Sequence, residues 1–96
     1  MHKPTHLTLE AKITKIVELL DRINPDIAYS DWVRVLMAIF HETHGSEEGF
    51  ELADAWSSRG QKYGGCREIR SKWNSFRIDQ KKPITIGTLI WMARQE

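Results

Sequence analysis

Arg67, Arg70 and Arg77 recur along the stretch CREIRSKWNSFRIDQKK, residues 66–82, at spacings that suit one side of a helix. At about 100° per residue they share that side with Ser71 and Asn74, while Ile69, Trp73 and Phe76 gather opposite. Guanidinium groups hold phosphate oxygens, and hydroxyl and amide side chains add hydrogen bonds to them. Lys62 before the stretch, Lys72 within it, and Lys81 and Lys82 at its end lengthen the cationic track. Tyr63 lies in a glycine-rich loop beside Lys62, the setting for an aromatic on which an unstacked base can rest. Trp73 and Phe76 keep core spacing with Ile69 and are expected inside. The candidate site is therefore Lys62, Tyr63, Arg67, Arg70, Lys72, Asn74, Arg77, Lys81 and Lys82, and its chemistry is noncovalent binding of single-stranded nucleic acid.

An amphipathic helix needs a solvated face in any case, and arginine fills one well. The distribution of charge along the chain argues for more than that. The 96 residues carry a net charge of +1, yet residues 1–58 hold five Lys/Arg against ten Asp/Glu, and residues 59–82 hold eight against two. A split of this kind produces either a side that faces a polyanion or an acidic half that docks on the basic one.

Other reactive residue types lead nowhere in the sequence. His41 and His44 in HETH stand three apart, without the H-E-x-x-H spacing or a third ligand that zinc requires. They fit better as cationic groups near a helix C-terminus. The loop SRGQKYGG has glycines but no G-x-x-x-x-G-K-[ST] pattern. Cys66 follows two glycines near a helix start but has no paired base, and a single cysteine forms no internal disulfide. No pair of carboxylates is spaced for acid–base work. The reading is of a nonenzymatic protein with no catalytic residue, metal site or cofactor.

Five short helices must position these groups. Leu9, Ile13, Ile16, Val17 and Leu20 make one face of a helix over about 9–23, with Thr8 as its N-cap and Pro25 beyond its end. A second runs from an N-cap at Ser30 to a left-handed C′ glycine at Gly45. It is apolar over most of its circumference, with Trp32, Leu36, Ile39 and Phe40 on one stripe, and is expected at the centre. Ser46 caps a third, whose inner face is Phe50, Ala53 and Trp56, with Gly49 weakening the first turn. The fourth covers about 66–76. The fifth starts at an N-cap Thr85 and turns Ile86, Leu89, Ile90 and Ala93 inward, leaving Trp91 off that stripe. No segment alternates long enough to be a strand, and no apolar run nears the roughly 20 residues of a membrane span. The fold class is all-α, a compact bundle in one domain, 1–96, with its core over about 9–94 and a loose arm at 1–7.

Four pieces of the sequence, in order, resemble the primase C-terminal domain of the second type: Asp31-Trp32, GFELADAWSS with Tyr63 following, KWNSF at 72–76, and ITIGTLIWMA at 84–93. The likeness extends over about residues 10–94. It implies an all-helical accessory domain of phage, plasmid or mobile-element primases and primase-helicases, one that helps a catalytic domain engage template or primer and lacks the nucleotidyl-transfer site. Lys72, Trp73 and Phe76, then Trp56, Ser57, Ser58 and Tyr63, then Thr85 and Gly87, match family positions. The implied partners are single-stranded DNA and a primase, polymerase or helicase, in cis or in trans. With no apolar leader at the N-terminus and one cysteine, the expected location is the cytoplasm. Two rival readings are a protein-interaction module that docks on a polymerase or helicase without DNA contact, and a helix-turn-helix regulator. The second is disfavoured by the long loop before the fourth helix.

Overall fold

The computed structural model describes residues 9–77 and 83–95, in the order α1 (Leu9–Leu20), α2 (Tyr29–Glu42), α3 (Glu47–Ser57), α4 (Cys66–Asn74) and α5 (Ile86–Ala93). No strand occurs among the described residues, so the fold is the expected all-α bundle. The anticipated N-terminal arm, the Thr8 cap, and Lys81 and Lys82 lie outside the described residues.

The central position of α2 follows from its apolar girth. Val35, Leu36, Ala38 and Ile39 are fully buried, and α2 packs against α3, α4 and α5. The outer α1 touches α5 and α3 and buries a narrower stripe, Ile16, Leu19 and Leu20, with Ile23 turned inward beyond its end. Leu9 and Val17, expected on the inner face, are 42% and 38% exposed. Among the described residues α1 packs mainly on α5 and α3, and these do not cover the whole apolar arc that the spacing draws.

The helix ends are built differently from the sequence expectation at three places. α2 begins with Ala28 in the N-cap position and no side-chain cap, so Ser30 already lies inside the helix. An Asn24 turn, in which the Asp26 N–H donates to Asn24 Oδ1 at 2.9 Å, delivers the chain there instead. At the far end, the Gly45 N–H donates to the Phe40 carbonyl at 2.8 Å and the His44 N–H to that of His41. This is a Schellman closure with His44, not Gly45, at C′, and both residues have positive φ. Thr85 occupies the N-cap of α5 but its hydroxyl caps nothing. The carboxylate of Glu42, at the end of α2, accepts from the Ile86 N–H at 2.9 Å instead. The Ser46 cap of α3 is as expected, accepting from the Gly49 N–H at 3.1 Å.

Aromatic rings hold α4 in place. Trp73 is inserted between Phe40 of α2 and Phe50 of α3, with ring centroids 5.2 and 6.1 Å away and planes steeply inclined, the edge-to-face geometry that aromatic quadrupoles favour. Phe76 leans on Phe40 at 5.5 Å. Deeper in the core, the Trp56 indole N–H donates to the Ile23 carbonyl at 2.9 Å, which ties α3 to the turn after α1 and satisfies both buried groups.

Candidate nucleic-acid interface

With Ile69 and Trp73 committed to the core, the remaining directions around α4 are set by helical geometry. Arg67, Ser71 and Asn74 point away from the bundle and are exposed. Arg70 falls on the flank beside α3, and Glu68 and Lys72 on the opposite flank, beside the start of α2. The cationic stripe of the sequence is therefore divided among three environments.

Arg67 has no ion-pair partner among the described residues. Arg70 is engaged within the fold. It forms an ion pair with Glu47 in the first turn of α3, and its guanidinium carbon lies 3.6 Å from the Phe50 ring centroid. Lys72 reaches over the Tyr29 ring, its ammonium 5.5 Å from the centroid. Arg77 is exposed beyond the end of α4, and its carbonyl accepts from His41 Nε2 at 3.1 Å. A carbonyl only accepts, so that imidazole nitrogen carries the proton.

The loop between α3 and α4 is pinned by Asp26. Its carboxylate accepts from the backbone N–H groups of Gln61 and Lys62 at 2.9 and 3.0 Å. These two bonds hold its pKa below the ordinary carboxylate value, against a smaller opposing effect of burial, with the Lys62 charge helping. Lys62 is thereby fixed in place, exposed, with its ammonium 3.4 Å from the Ile27 carbonyl.

Tyr63 differs from the exposed residue expected in a glycine-rich loop. It packs partly buried against the core, and its hydroxyl donates to Asp54 Oδ1 at 2.7 Å. That bond, with burial and the Asp54 charge, pushes the phenol up to about 12. Beside it opens a cleft of about 250 Å³ lined by Ile27, Tyr29, Trp32, Tyr63, Glu68 and Lys72, with Lys62 at its edge. The exposed ring there is Tyr29, 64% accessible, with Trp32 behind it at 5.6 Å. The sequence reading passed over Tyr29 and Glu68 and placed Trp32 on the inner stripe. The available signal was the pair of aromatics three apart across the first turn of α2, a spacing that puts them side by side.

Among the described residues no group of His, Cys, Asp and Glu could hold a metal ion, and no helix is long and apolar enough to cross a membrane. Cys66 is exposed.

The family model for primase C terminal 2 (PriCT-2) matches residues 16–93, from the middle of α1 to the end of α5. The chain belongs to the PriCT-2 family. A protein of Invertebrate iridescent virus 3 named "Putative helicase 121R" is 28% identical to this PriCT-2 domain over 96 residues, which cover 93% of the chain and 10% of that viral protein. The chain thus spans about a tenth of the relative's length. No solved structure matches it. The matched segment takes in the end of α1 and all of α2 to α5, so the PriCT-2 assignment places this chain among domains associated with primases and helicases of replication.

Proposed function

We propose that this PriCT-2 domain is a nonenzymatic accessory module of a replication primase, polymerase or helicase, and that it binds single-stranded DNA of template or primer through the outer face of α4 and the loop before it. The observation that carries this reading is the contrast between the two faces of α4. Trp73 and Ile69 lock one side into the core, and the other presents Arg67, Ser71 and Asn74 to solvent, with Lys62 and Lys72 on one flank. A rigid cationic surface with hydrogen-bond donors suits a phosphate backbone. Arg67, Lys62, Lys72 and Arg77 are the phosphate-holding groups, extended by Lys81 and Lys82. Arg70 is a weaker candidate, since binding phosphate would compete with Glu47.

Fluorescence anisotropy with labelled single-stranded and duplex DNA across salt tests the reading. Four phosphate contacts correspond to a slope of about −3 in log K against log salt, at about −0.7 per contact for single strands. Single strand should be preferred over duplex, and Arg67→Glu should weaken binding severalfold without loss of helicity. Absence of binding at low salt would overturn the proposal.

A second reading rests on a separate observation. Trp91 of α5 is 59% exposed, and α5 packs on α1 and α2. An exposed tryptophan there suits docking on a polymerase or helicase without DNA contact. Under that reading Trp91→Ala abolishes partner binding, and Arg67→Glu does not.

A further inference from the structure

The cleft beside α4 has more chemistry than phosphate binding uses. Its walls are aromatic and aliphatic, and the polar tips of two of the rings are already satisfied. The Trp32 indole N–H donates to Ser57 Oγ at 3.0 Å, and the Tyr63 hydroxyl donates to Asp54. Both rings are thus oriented by hydrogen bonds within the fold. Tyr29 is held differently: its ring lies 5.6 Å from Trp32 at an interplanar angle of 32°, and most of it faces solvent. At about 250 Å³ the cleft is smaller than the roughly 300–1,000 Å³ typical of drug-sized ligands, a size suited to one planar ring system.

The charged groups are arranged around this apolar floor. Lys72 stands over the Tyr29 ring and Lys62 at the loop edge, two ammonium groups for the phosphates on either side of an inserted nucleotide. Among the described residues, Glu68 is the one carboxylate lining the cleft. An ionised carboxylate only accepts hydrogen bonds, and it repels phosphate, so its complement is a donor on the base. Cytosine offers N4–H₂ and adenine N6–H₂ as such donors, whereas thymine has a carbonyl in the equivalent place.

We propose that this cleft is a subsite for one unstacked base of a single strand, stacked on Tyr29 between Lys62 and Lys72, with Glu68 selecting bases that carry an exocyclic amine over thymine. The inference rests on the single-strand reading above and adds a base-reading position to a surface that otherwise reads only phosphate.

Anisotropy with two strands of about 12 nucleotides, within the range of single-strand site sizes, tests it: one all thymine, the other with its central residues replaced by cytosine. The cytosine-bearing strand should bind about three- to tenfold tighter. Tyr29→Ala should weaken it about fivefold or more, the effect of losing one stacked base. Glu68→Gln should erase the preference without weakening the all-thymine strand, because the amide can donate as well as accept. Tyr29 and Glu68 are exposed, so circular dichroism should report both variants as folded. Equal affinity for the two strands, with both variants behaving as wild type and the salt slope intact, overturns the base subsite and leaves the phosphate-binding face standing. Failure of both strands to bind at low salt overturns both.

Discussion

The guanidinium of Arg70 lies over the Phe50 ring, its central carbon 3.6 Å from the ring centroid, while it pairs with Glu47 on the same helix as Phe50. An arginine that reads in the sequence as one of three equivalent phosphate holders is thus the clasp between α4 and the first turn of α3.

Arg70 and Arg67 are therefore expected to separate on mutation. Arg70→Ala removes a surface cation–π contact and a partly exposed ion pair, each about 0.5–1 kcal/mol, and should destabilise the domain by about 1 kcal/mol in urea titrations. Arg67→Ala should stay within about 0.5 kcal/mol of wild type and should lose DNA affinity instead. Equal stability losses for the two would contradict the clasp.

Two helical glycines should respond to alanine with opposite signs. At Gly49 a methyl group would lie 2.1 Å from Thr43 Oγ1 and 3.1 Å from the edge of Trp73, in the buried seam between α2, α3 and α4. Gly49→Ala should lower stability by about 1–3 kcal/mol as an overpacking substitution. At Gly87 the nearest atom is Thr85 Oγ1 at 3.8 Å, and Gly87→Ala should raise stability by up to about 1 kcal/mol through helix propensity. Thermal melts of the two variants check both signs.

The capping of α5 by a residue 44 positions away in sequence has a clear signature. Glu42→Ala leaves the Ile86 N–H without its acceptor and should cost about 1–2 kcal/mol, in the range of N-cap losses. Thr85→Ala should cost less than about 0.5 kcal/mol, since its hydroxyl makes no cap bond. Lys12→Ala removes only the 3.8 Å ion pair to Glu42 and should fall below about 1 kcal/mol. A larger loss for Thr85→Ala than for Glu42→Ala in denaturant titrations would reverse the assignment.

Tyr63 gives the domain an alkaline dependence of definite sign. Its folded pKa of about 12 lies above the ordinary tyrosine value of about 10. The native state therefore keeps a proton that the unfolded chain has already released. The resulting stability is fully present below about pH 10 and is lost as pH rises through about 12. Phenolate absorbance in a Tyr29→Phe variant should titrate near pH 12, and adding Asp54→Asn should bring the midpoint down. Asp26 works on the acid side: its lowered pKa stabilises the folded loop above about pH 4, the ordinary range of an aspartate, and that support fades as pH falls through the depressed value.

Much of this architecture was legible in the sequence. The number of helices, the central place of α2, the Ser46 cap, the inner face Phe50–Ala53–Trp56 and the buried Trp73 all follow from apolar spacing and cap chemistry, which act within a few residues. The exposure of Trp91 was legible for the same reason: a residue off the apolar stripe of a peripheral helix stays outside. Where α1 turned out less buried than its spacing suggests, the cause was the number of neighbours available to it, which no local pattern encodes.

The sequence by itself determined the five helices of the described residues, which sides of most of them are apolar, and that cationic charge gathers around α4. Only the tertiary structure decided how each charged or aromatic group is used. Arg70 is drawn to Glu47 and Phe50, Tyr63 is tied to Asp54, Glu42 caps α5, and Tyr29, Trp32, Glu68 and Lys72 meet around one cleft. The reason is physical. Helix periodicity depends on residues three and four apart, whereas an ion pair, a cap from another helix or a cleft depends on how helices distant in sequence are packed together.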